Sequence, residues 1–402
     1  MKYTPLSFQM IQVYILSMLF FTASSVLTVI FPLQASTSGM LEGEIGIIMG
    51  VYMLVCMFLR PWAGQMVAKY SVFTIMKWLL IGHVATLFIY ISFGIDSLYV
   101  VRVLQGVVTA FFSMAIQMGI SETLREEERG QGMSMYSLSS VMPSLYGPAL
   151  ALLLWSQADK IYLQLFIVAL AIFPLFIFIR SPLPKTKQPN ASFTLFEIMS
   201  ALKEARHHKG LIISSITMLV GACIFGAIST FLPLYMVNEN VGNAVLYLFL
   251  QSIVVVGSRF ILRKRIPSDG KWHPKFIVLV LLSSFVGTTI LAGGFMIGPF
   301  IYVAALFNGL SSAMLYPSLT TYITFVVPTK SKHILLGVFL ASYDLGFSLG
   351  SLVMGFIVQF GSFSIMYATC SVLALFVMGI IAFQRTQKNN PKRFKQQLFY
   401  KQ

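Results

Sequence analysis

Apolar runs of about twenty residues recur along the whole of this 402-residue chain. Each run is long enough to cross the roughly 30 Å hydrocarbon core of a bilayer as a helix. We count twelve, centred near residues 20, 56, 84, 110, 143, 170, 223, 253, 286, 313, 346 and 373. Because backbone that faces lipid must satisfy its own hydrogen bonds, only helices account for such runs. The sequence therefore predicts an all-α membrane protein with twelve transmembrane helices and no room for a soluble domain.

The composition excludes a soluble globular protein. Hydrophobic residues make up 57% of the chain and charged residues only 10%, whereas a soluble protein carries about 25% charged residues. Of the 28 lysines and arginines, 24 lie at the N-terminus, in every second loop or in the C-terminal tail. By the positive-inside rule, we predict a multi-pass protein of the cell membrane with both termini in the cytoplasm. The net charge of +15 is thus explained by membrane topology rather than by nucleic-acid binding.

The two halves of the chain share a series of like residues. Four pairs recur 199 to 203 positions apart: Pro32 and Pro233, Arg60 and Arg259, Gly106 and Gly309, and Gly147 and Gly350. Because the pairs keep the same order, we interpret them as an internal duplication of a six-helix unit. Parallel repeats of this kind place a substrate site near the bilayer midplane, at the interface of the halves.

The duplication divides the chain into four regions. Residues 1–180 form an N-terminal six-helix half, 181–209 a cytoplasmic linker, 210–384 a C-terminal six-helix half, and 385–402 a basic cytoplasmic tail. Within the linker, residues 192–208 place apolar side chains at positions i, i+3, i+4 and i+7. This spacing predicts an amphipathic helix on the cytoplasmic leaflet; a flexible tether is the alternative.

Four short motifs carry a family resemblance. Gly64–Lys69, after the second predicted helix, keeps a glycine and a basic residue, with Ala68 at the position where the family has an acid. Arg102–Gly106 lies in the fourth helix, Glu128–Gly130 follows it, and Gly147–Pro148 lies in the fifth. These motifs resemble those of the major facilitator superfamily, and the resemblance extends over essentially the whole chain.

The resemblance implies a fold and a mode of action. Two six-helix halves would rock about a central site, with Gly64, Lys69, Gly106 and Gly147–Pro148 as conformational motifs. The arginine motif at Arg102 would take part in proton transfer, and Gly147–Pro148 resembles the signature of proton-coupled exporters. The implied partners are a small-molecule substrate, protons and the lipid bilayer. No cofactor and no nucleic acid are implied, and we expect a monomer.

Asp344 and Arg60 are the charges that lie deepest in the predicted bilayer. Asp344 is ten residues, about 15 Å, into the eleventh helix, and residues 139–141 of the fifth helix offer no equivalent acid. We predict that Asp344 binds a proton or a cationic substrate group; the alternative is a fixed buried pair. Arg60 lies about 13 Å before Lys69. It either anchors a substrate carboxylate or pairs within the protein, since a charge at this depth needs a partner or a wet cavity.

Two further arginines lie within predicted spans. Arg102 is four residues into the fourth helix. It either faces the central cavity or extends to the outer interface, because its stem spans several ångströms. Arg259 precedes the basic cluster at residues 263–265 by four positions, and we interpret it as a charge at the inner membrane surface.

Polar residues on helices expected to line the cavity are candidates to orient a ligand: Gln117, Gln251 and Asn308, with Tyr52, Tyr235 and Tyr316 nearby in the same halves. Hydrogen bonds between helices account for each of them equally well. Three arginines against one aspartate within the spans favour a substrate with carboxylates, either a zwitterion or a molecule with several carboxylates. Among bacterial exporters of this size, the chain resembles those that carry opine-type metallophores.

The leading prediction is therefore proton-coupled secondary active efflux of a small polar or zwitterionic, carboxylate-bearing molecule. A multidrug efflux pump and a facilitator or importer of organic anions are the alternatives.

An enzyme is disfavoured, because the sequence has neither a GxxxxGK(S/T) nucleotide loop nor an HExxH motif. Cys56, Cys223 and Cys370 lie far apart in separate spans, so we predict no metal site.

Overall fold

The computed structural model describes residues 3–125, 128–157, 159–183, 209–262, 265–267, 271–293, 298–326 and 332–388. The N-terminal half comprises α1 (Phe8–Thr37), α2 (Glu42–Lys69), α3 (Val72–Phe93), α4 (Leu98–Thr123), α5 (Arg129–Trp155) and α6 (Ile161–Ile179). The C-terminal half comprises α7 (Lys209–Asn238), α8 (Ala244–Ile261), α9 (Pro274–Ala292), α10 (Ile301–Val326), α11 (Lys332–Phe360) and α12 (Phe363–Lys388). The amphipathic helix predicted at 192–208 lies outside the described residues.

Ten stretches of the described chain are long and apolar enough to cross a membrane. One of them, Val72–Thr123, covers α3, a 3-10 turn and α4 together, whereas α8 contributes a shorter apolar helix, Ala244–Arg259. Each of the twelve predicted centres falls within one of the α-helices. Large apolar side chains such as Trp78 and Phe173 are exposed, as expected where lipid, which is as apolar as leucine, surrounds the protein. The chain is an all-α, multi-pass membrane protein.

The two halves share one packing arrangement. α1 packs on α5, α2 on α4 and α3 on α6; likewise α7 packs on α11, α8 on α10 and α9 on α12. A Cβ built on Gly106 would lie 2.6 Å from the Tyr52 carbonyl oxygen, and one built on Gly309 would lie 2.8 Å from the Gln251 carbonyl oxygen. Tyr52 and Gln251 are 199 positions apart and the two glycines 203. The same close contact therefore recurs at the spacing of the duplication.

Across the halves, α2 packs on α11 backbone to backbone. A Cβ on Gly46 would lie 2.5 Å from the Ser351 carbonyl oxygen, and a Cβ on Gly50 would lie 2.9 Å from that of Ser348. Glycines four residues apart on one helix face allow such an approach in lipid. The halves are therefore in tightest contact near the Glu42 end of α2.

The symmetry-related contact joins α5 to α8. The Ser252 hydroxyl donates a hydrogen bond to the Ser144 carbonyl oxygen, which is free because Pro148, four residues later, has no N–H. The preceding Gly147 lets α1 approach, since a Cβ there would lie 2.9 Å from the Ser25 Cβ. The Gly147–Pro148 motif thus serves two helix contacts, one within its own half and one with the other half.

Candidate functional site

An ion pair joins the two halves. Arg60 of α2 donates to Asp344 of α11 through Nε to Oδ2 and, at 2.9 Å, through Nη2 to Oδ1. The Asp344 side chain is fully buried and that of Arg60 is 19% exposed. A bidentate pair of this kind is among the stronger hydrogen-bonded interactions in proteins and fixes the orientation of both groups. Because the partners belong to different halves, the pair forms only while α2 and α11 lie together at this depth.

Two tyrosines of the C-terminal half border the ion pair. Tyr343 precedes Asp344 in α11, and Tyr316 lies in α10. Their rings pack edge to face, with the centroids 5.6 Å apart. Both hydroxyls lie within electrostatic range of Arg60 and Asp344. Since a phenol can donate and accept hydrogen bonds, these hydroxyls can bind either the ion pair or a polar group of a ligand.

The N-terminal half contributes Gln117 and Tyr136 to the same region. The Gln117 amide donates to the Ser113 carbonyl oxygen at 2.8 Å, and its side chain also interacts with the Tyr136 hydroxyl. Tyr136 in turn lies within electrostatic range of Tyr316 and Arg60. Gln117 was a predicted ligand-orienting residue, and the structure places it among the groups that surround the ion pair.

Arg259 of α8 points toward these groups as well. Its guanidinium lies within electrostatic range of the Tyr343 and Tyr316 hydroxyls, and its side chain is half-buried. Its Nε is buried and makes no hydrogen bond within the described residues. Arg259 lies in the last turn of α8, which agrees with its interpretation as a charge near the inner surface, but its nearness in sequence to the basic cluster did not reveal these tyrosine neighbours.

We call these seven side chains the interhalf cluster: Arg60, Gln117, Tyr136, Arg259, Tyr316, Tyr343 and Asp344. They come from three helices of each half. Two guanidinium groups face one carboxylate, so the cluster carries an excess positive charge. Several members keep partial exposure while facing one another across the halves. The arrangement suits an anionic or zwitterionic small molecule held between the halves.

Arg102 lies apart from the cluster, enclosed within the N-terminal half. It is fully buried and donates to the Leu27 carbonyl oxygen at 3.3 Å, to Gln105 Oε1 at 3.3 Å and to Met49 Sδ at 2.8 Å. Its guanidinium also lies 4.6 Å from the Phe31 ring centroid. Of the two sequence interpretations, neither an arginine that faces a cavity nor one that extends to the interface describes this packing. The enclosed guanidinium ties α4 to α1 and α2.

Asn308 and Gln251 lie inside the C-terminal half. Asn308 Nδ2 donates to the Tyr247 hydroxyl at 3.0 Å, and a Cβ on Gly287 would lie 2.6 Å from the Asn308 Cγ. Gln251 is buried, and its backbone carbonyl meets Gly309. Asn308 thus follows the alternative interpretation, in which it bridges helices by a hydrogen bond, whereas Gln251 contacts α10 through its backbone. Their Oδ1 and Oε1 atoms are buried and make no hydrogen bond within the described residues.

Of the predicted conformational motifs, Gly64 and Lys69 lie in the last turns of α2, and their side-chain surroundings fall outside the described residues. Gly106 lets α4 meet α2, and Gly147–Pro148 lies at the contacts of α5 with α1 and α8. Within the described residues, no three His, Cys, Asp or Glu side chains are grouped to hold a metal ion.

Sequence reasoning missed three members of the cluster, Tyr136, Tyr343 and Arg259, as site residues. A usable signal existed for Arg259, because it is the duplicate of Arg60. Tyr343 adjoins Asp344 in sequence, but adjacent residues on a helix face different directions. Nothing in the sequence singles out Tyr136 among the 17 tyrosines.

The chain is similar to known transporters in sequence and in fold. It matches the Major Facilitator Superfamily model over residues 13–295 and 270–398. It is 39% identical over 386 residues to the Staphylopine export protein of Staphylococcus aureus (strain Mu50), covering 95% of this chain and 97% of that protein. Its fold resembles those of the human organic anion transporter MFSD10 (TM-score 0.71, 14% identity) and the nucleoside transporter NupG (TM-score 0.72, 15% identity), each covering 92% of this chain and 98% of the other.

Proposed function

The chain belongs to the major facilitator superfamily, and on that premise we propose that it exports an opine-type metallophore across the cell membrane in exchange for protons. It acts as a monomer with twelve membrane spans and both termini in the cytoplasm. Its halves, residues 1–180 and 210–384, rock about the interhalf cluster. The linker 181–209 and the tail 385–402 lie on the cytoplasmic face. The protein moves its substrate without changing it chemically.

The observation that carries the mechanism is the Arg60–Asp344 ion pair. A buried pair is strongly disfavoured when one partner loses its counter-charge. Any event that neutralises or diverts Asp344 therefore weakens the attraction between α2 and α11. This makes the pair a natural point at which a bound proton or substrate changes the contact between the halves.

The substrate assignment is supported by two independent observations. The relative that is 39% identical over nearly the full length of both chains is named for the export of staphylopine. The interhalf cluster, with two guanidinium groups and one carboxylate, suits a molecule that carries carboxylates together with an ammonium group. A purely cationic substrate would favour the opposite balance of charge.

The predicted orientation indicates on which side of the membrane the protein is closed. If both termini are cytoplasmic, the Glu42 end of α2 faces outward, and the close packing of Gly46 and Gly50 on α11 closes the protein on that side. Release to the outside then requires α2 and α11 to separate at their outer ends. The glycines make the closed contact tight because no side chains intervene.

Exchange of the substrate for a proton follows because the substrate's ammonium group and the proton compete for Asp344. The ionised carboxylate accepts the substrate's ammonium group when the site opens to the cytoplasm. When the site opens outward, a proton binds Asp344, the negative charge disappears, and the ammonium is released. Loss of that proton to the cytoplasm restores the carboxylate and its pair with Arg60. One proton enters for each ammonium group displaced.

The test uses inside-out vesicles that contain the purified protein and labelled staphylopine outside. An acidic vesicle interior should drive uptake, and Asp344→Asn should abolish the dependence on the pH gradient. Asp96→Asn is the matched control, because Asp96 is an exposed acid in the turn before α4. Uptake that ignores the gradient and is unchanged in Asp344→Asn would overturn proton coupling through this residue.

Measurements in intact cells and in vesicles separate the alternatives. An importer or facilitator of organic anions would accumulate its solute in intact cells, whereas an exporter would deplete them of it. A multidrug pump would take up structurally unrelated cations into the vesicles. Comparison of the medium from deletion and wild-type cells identifies the exported compound directly.

A further inference from the structure

Arg60 and Arg259 occupy equivalent places in the two halves. They are 199 positions apart, which is the spacing of Tyr52 and Gln251, whose carbonyl oxygens meet the equivalent glycines Gly106 and Gly309. α2 and α8 are thus duplicates that present an arginine at the same turn. Both guanidinium groups lie within electrostatic range of Tyr316 and Tyr343 of the interhalf cluster.

Their surroundings differ in one respect. Asp344 is 203 positions after Val141, the spacing that also relates Gly147 to Gly350. α11 therefore supplies an acid to Arg60, while α5 offers valine at the position that would face Arg259. Val141 is half-buried and packs against the apolar core. The duplication kept both arginines but only one counter-charge.

Arg259 consequently lacks the partner that its duplicate has. Within the described residues it forms no ion pair, and its buried Nε makes no hydrogen bond. A half-buried guanidinium between the halves of a membrane-spanning bundle is costly without an anion. Its planar fork matches the two oxygens of a carboxylate, and phenol hydroxyls can donate to the lone pairs that remain.

We infer that Arg259, together with the hydroxyls of Tyr316 and Tyr343, binds a carboxylate group of the transported molecule. The inference rests on the proposed function and assigns the substrate's orientation within it. The carboxylate lies against α8 at Arg259, and the ammonium group lies against α11 at Asp344. The two tyrosines lie within electrostatic range of both charges, and their rings are in contact, with the centroids 5.6 Å apart.

The first test either removes the charge of Arg259 or gives Arg259 a counter-charge from α5. Arg259→Gln should lower vesicle uptake of staphylopine roughly 10- to 100-fold, as expected for the loss of a charge-assisted hydrogen-bonded pair, and Arg259→Lys should restore part of it. Val141→Asp should reproduce the loss while Arg259 itself is unchanged, because the new carboxylate takes the place of the substrate's carboxylate. Val141→Asn, which has the same shape as the aspartate variant without its charge, should keep clearly more uptake than Val141→Asp.

A second readout separates binding from folding. Staphylopine should raise the thermal unfolding temperature of purified wild-type protein and of Val141→Asn, but not that of Val141→Asp or Arg259→Gln. Staphylopine with its carboxyl groups esterified should stabilise none of them. Each variant should elute as a single species of unchanged size before it is compared.

The outcomes distinguish a failure of this inference from a failure of the proposed function. If wild-type protein neither binds nor transports staphylopine, the proposed substrate is wrong, and this inference is overturned with it. If wild type transports staphylopine and both Arg259→Gln and Val141→Asp transport it equally well, the inference alone is overturned. Equal loss in Val141→Asp and Val141→Asn would also overturn it, because the effect would then be steric.

Discussion

The Ser144 carbonyl oxygen in α5 accepts its hydrogen bond from the Ser252 hydroxyl in α8, and so from the other half of the protein. In an unbroken helix this carbonyl would accept from the amide of residue 148, but Pro148 has no N–H. The exporter-like Gly147–Pro148 motif therefore leaves an acceptor on α5 available to α8. In the proposed mechanism, rocking of the halves would break or shift this bond, so the motif would couple a local backbone feature to the global motion.

Ser252→Ala should weaken the contact between α5 and α8. The Ser144 carbonyl would lose its donor, and we expect the unfolding free energy to fall by about 1 kcal/mol, in line with side-chain hydrogen bonds between membrane helices. Pro148→Ala restores an N–H within α5, so Ser252→Ala should cost less in that background. A double-mutant cycle of thermal unfolding measures the difference. Equal costs in both backgrounds would show that the two groups are not coupled.

Removal of one partner of the central ion pair should destabilise the protein more than removal of both. Asp344→Asn or Arg60→Gln leaves one charge unpaired, at a cost of about 3–5 kcal/mol, whereas the double variant leaves none. Denaturation of the purified variants tests this order. The double variant should recover much of the stability but not proton-driven uptake. Additive single effects would contradict direct pairing.

Gly46→Leu should hold α2 and α11 apart near the Glu42 end of α2. Even a Cβ at this position would lie 2.5 Å from backbone of α11, and backbone cannot move aside as a flexible side chain can. Labelling of a cysteine placed at Ser348, which is buried at this contact, should become faster. Gly379→Leu in α12 is the control, because nothing lies within 4 Å of its Cβ position. Unchanged labelling would mean that these glycines do not set the distance between the helices.

Arg102→Lys should affect stability rather than substrate affinity. A lysine cannot reproduce the fork that contacts Leu27, Met49 and Gln105. We expect the unfolding free energy to fall by about 1–3 kcal/mol, with the KM for uptake within about twofold of wild type because no substrate contact is lost. A raised KM with unchanged stability would instead place Arg102 in the substrate path.

Part of the site was readable from the sequence. An ionised group far inside an apolar run needs a partner, which singled out Arg60 and Asp344 and left open whether each binds a ligand or pairs within the protein. Gln117 was found as a polar residue on a helix expected to line the interface. Arg102, Asn308 and Gln251 satisfied the same criteria, yet each is enclosed within its own half. Depth and polarity identify residues that need partners but do not say where the partners lie.

What the sequence determined by itself is the helical, membrane-spanning character of the chain and the repetition of like residues in its two halves, because run length and backbone hydrogen bonding in lipid allow little else. Only the tertiary structure decided which side of each helix faces the other half. In water an apolar stripe marks the buried face of a helix, but in a bilayer the lipid is as apolar as the core. The pairing of Arg60 with Asp344, and the surroundings of Arg259, are set by how the similar surfaces of many helices pack together.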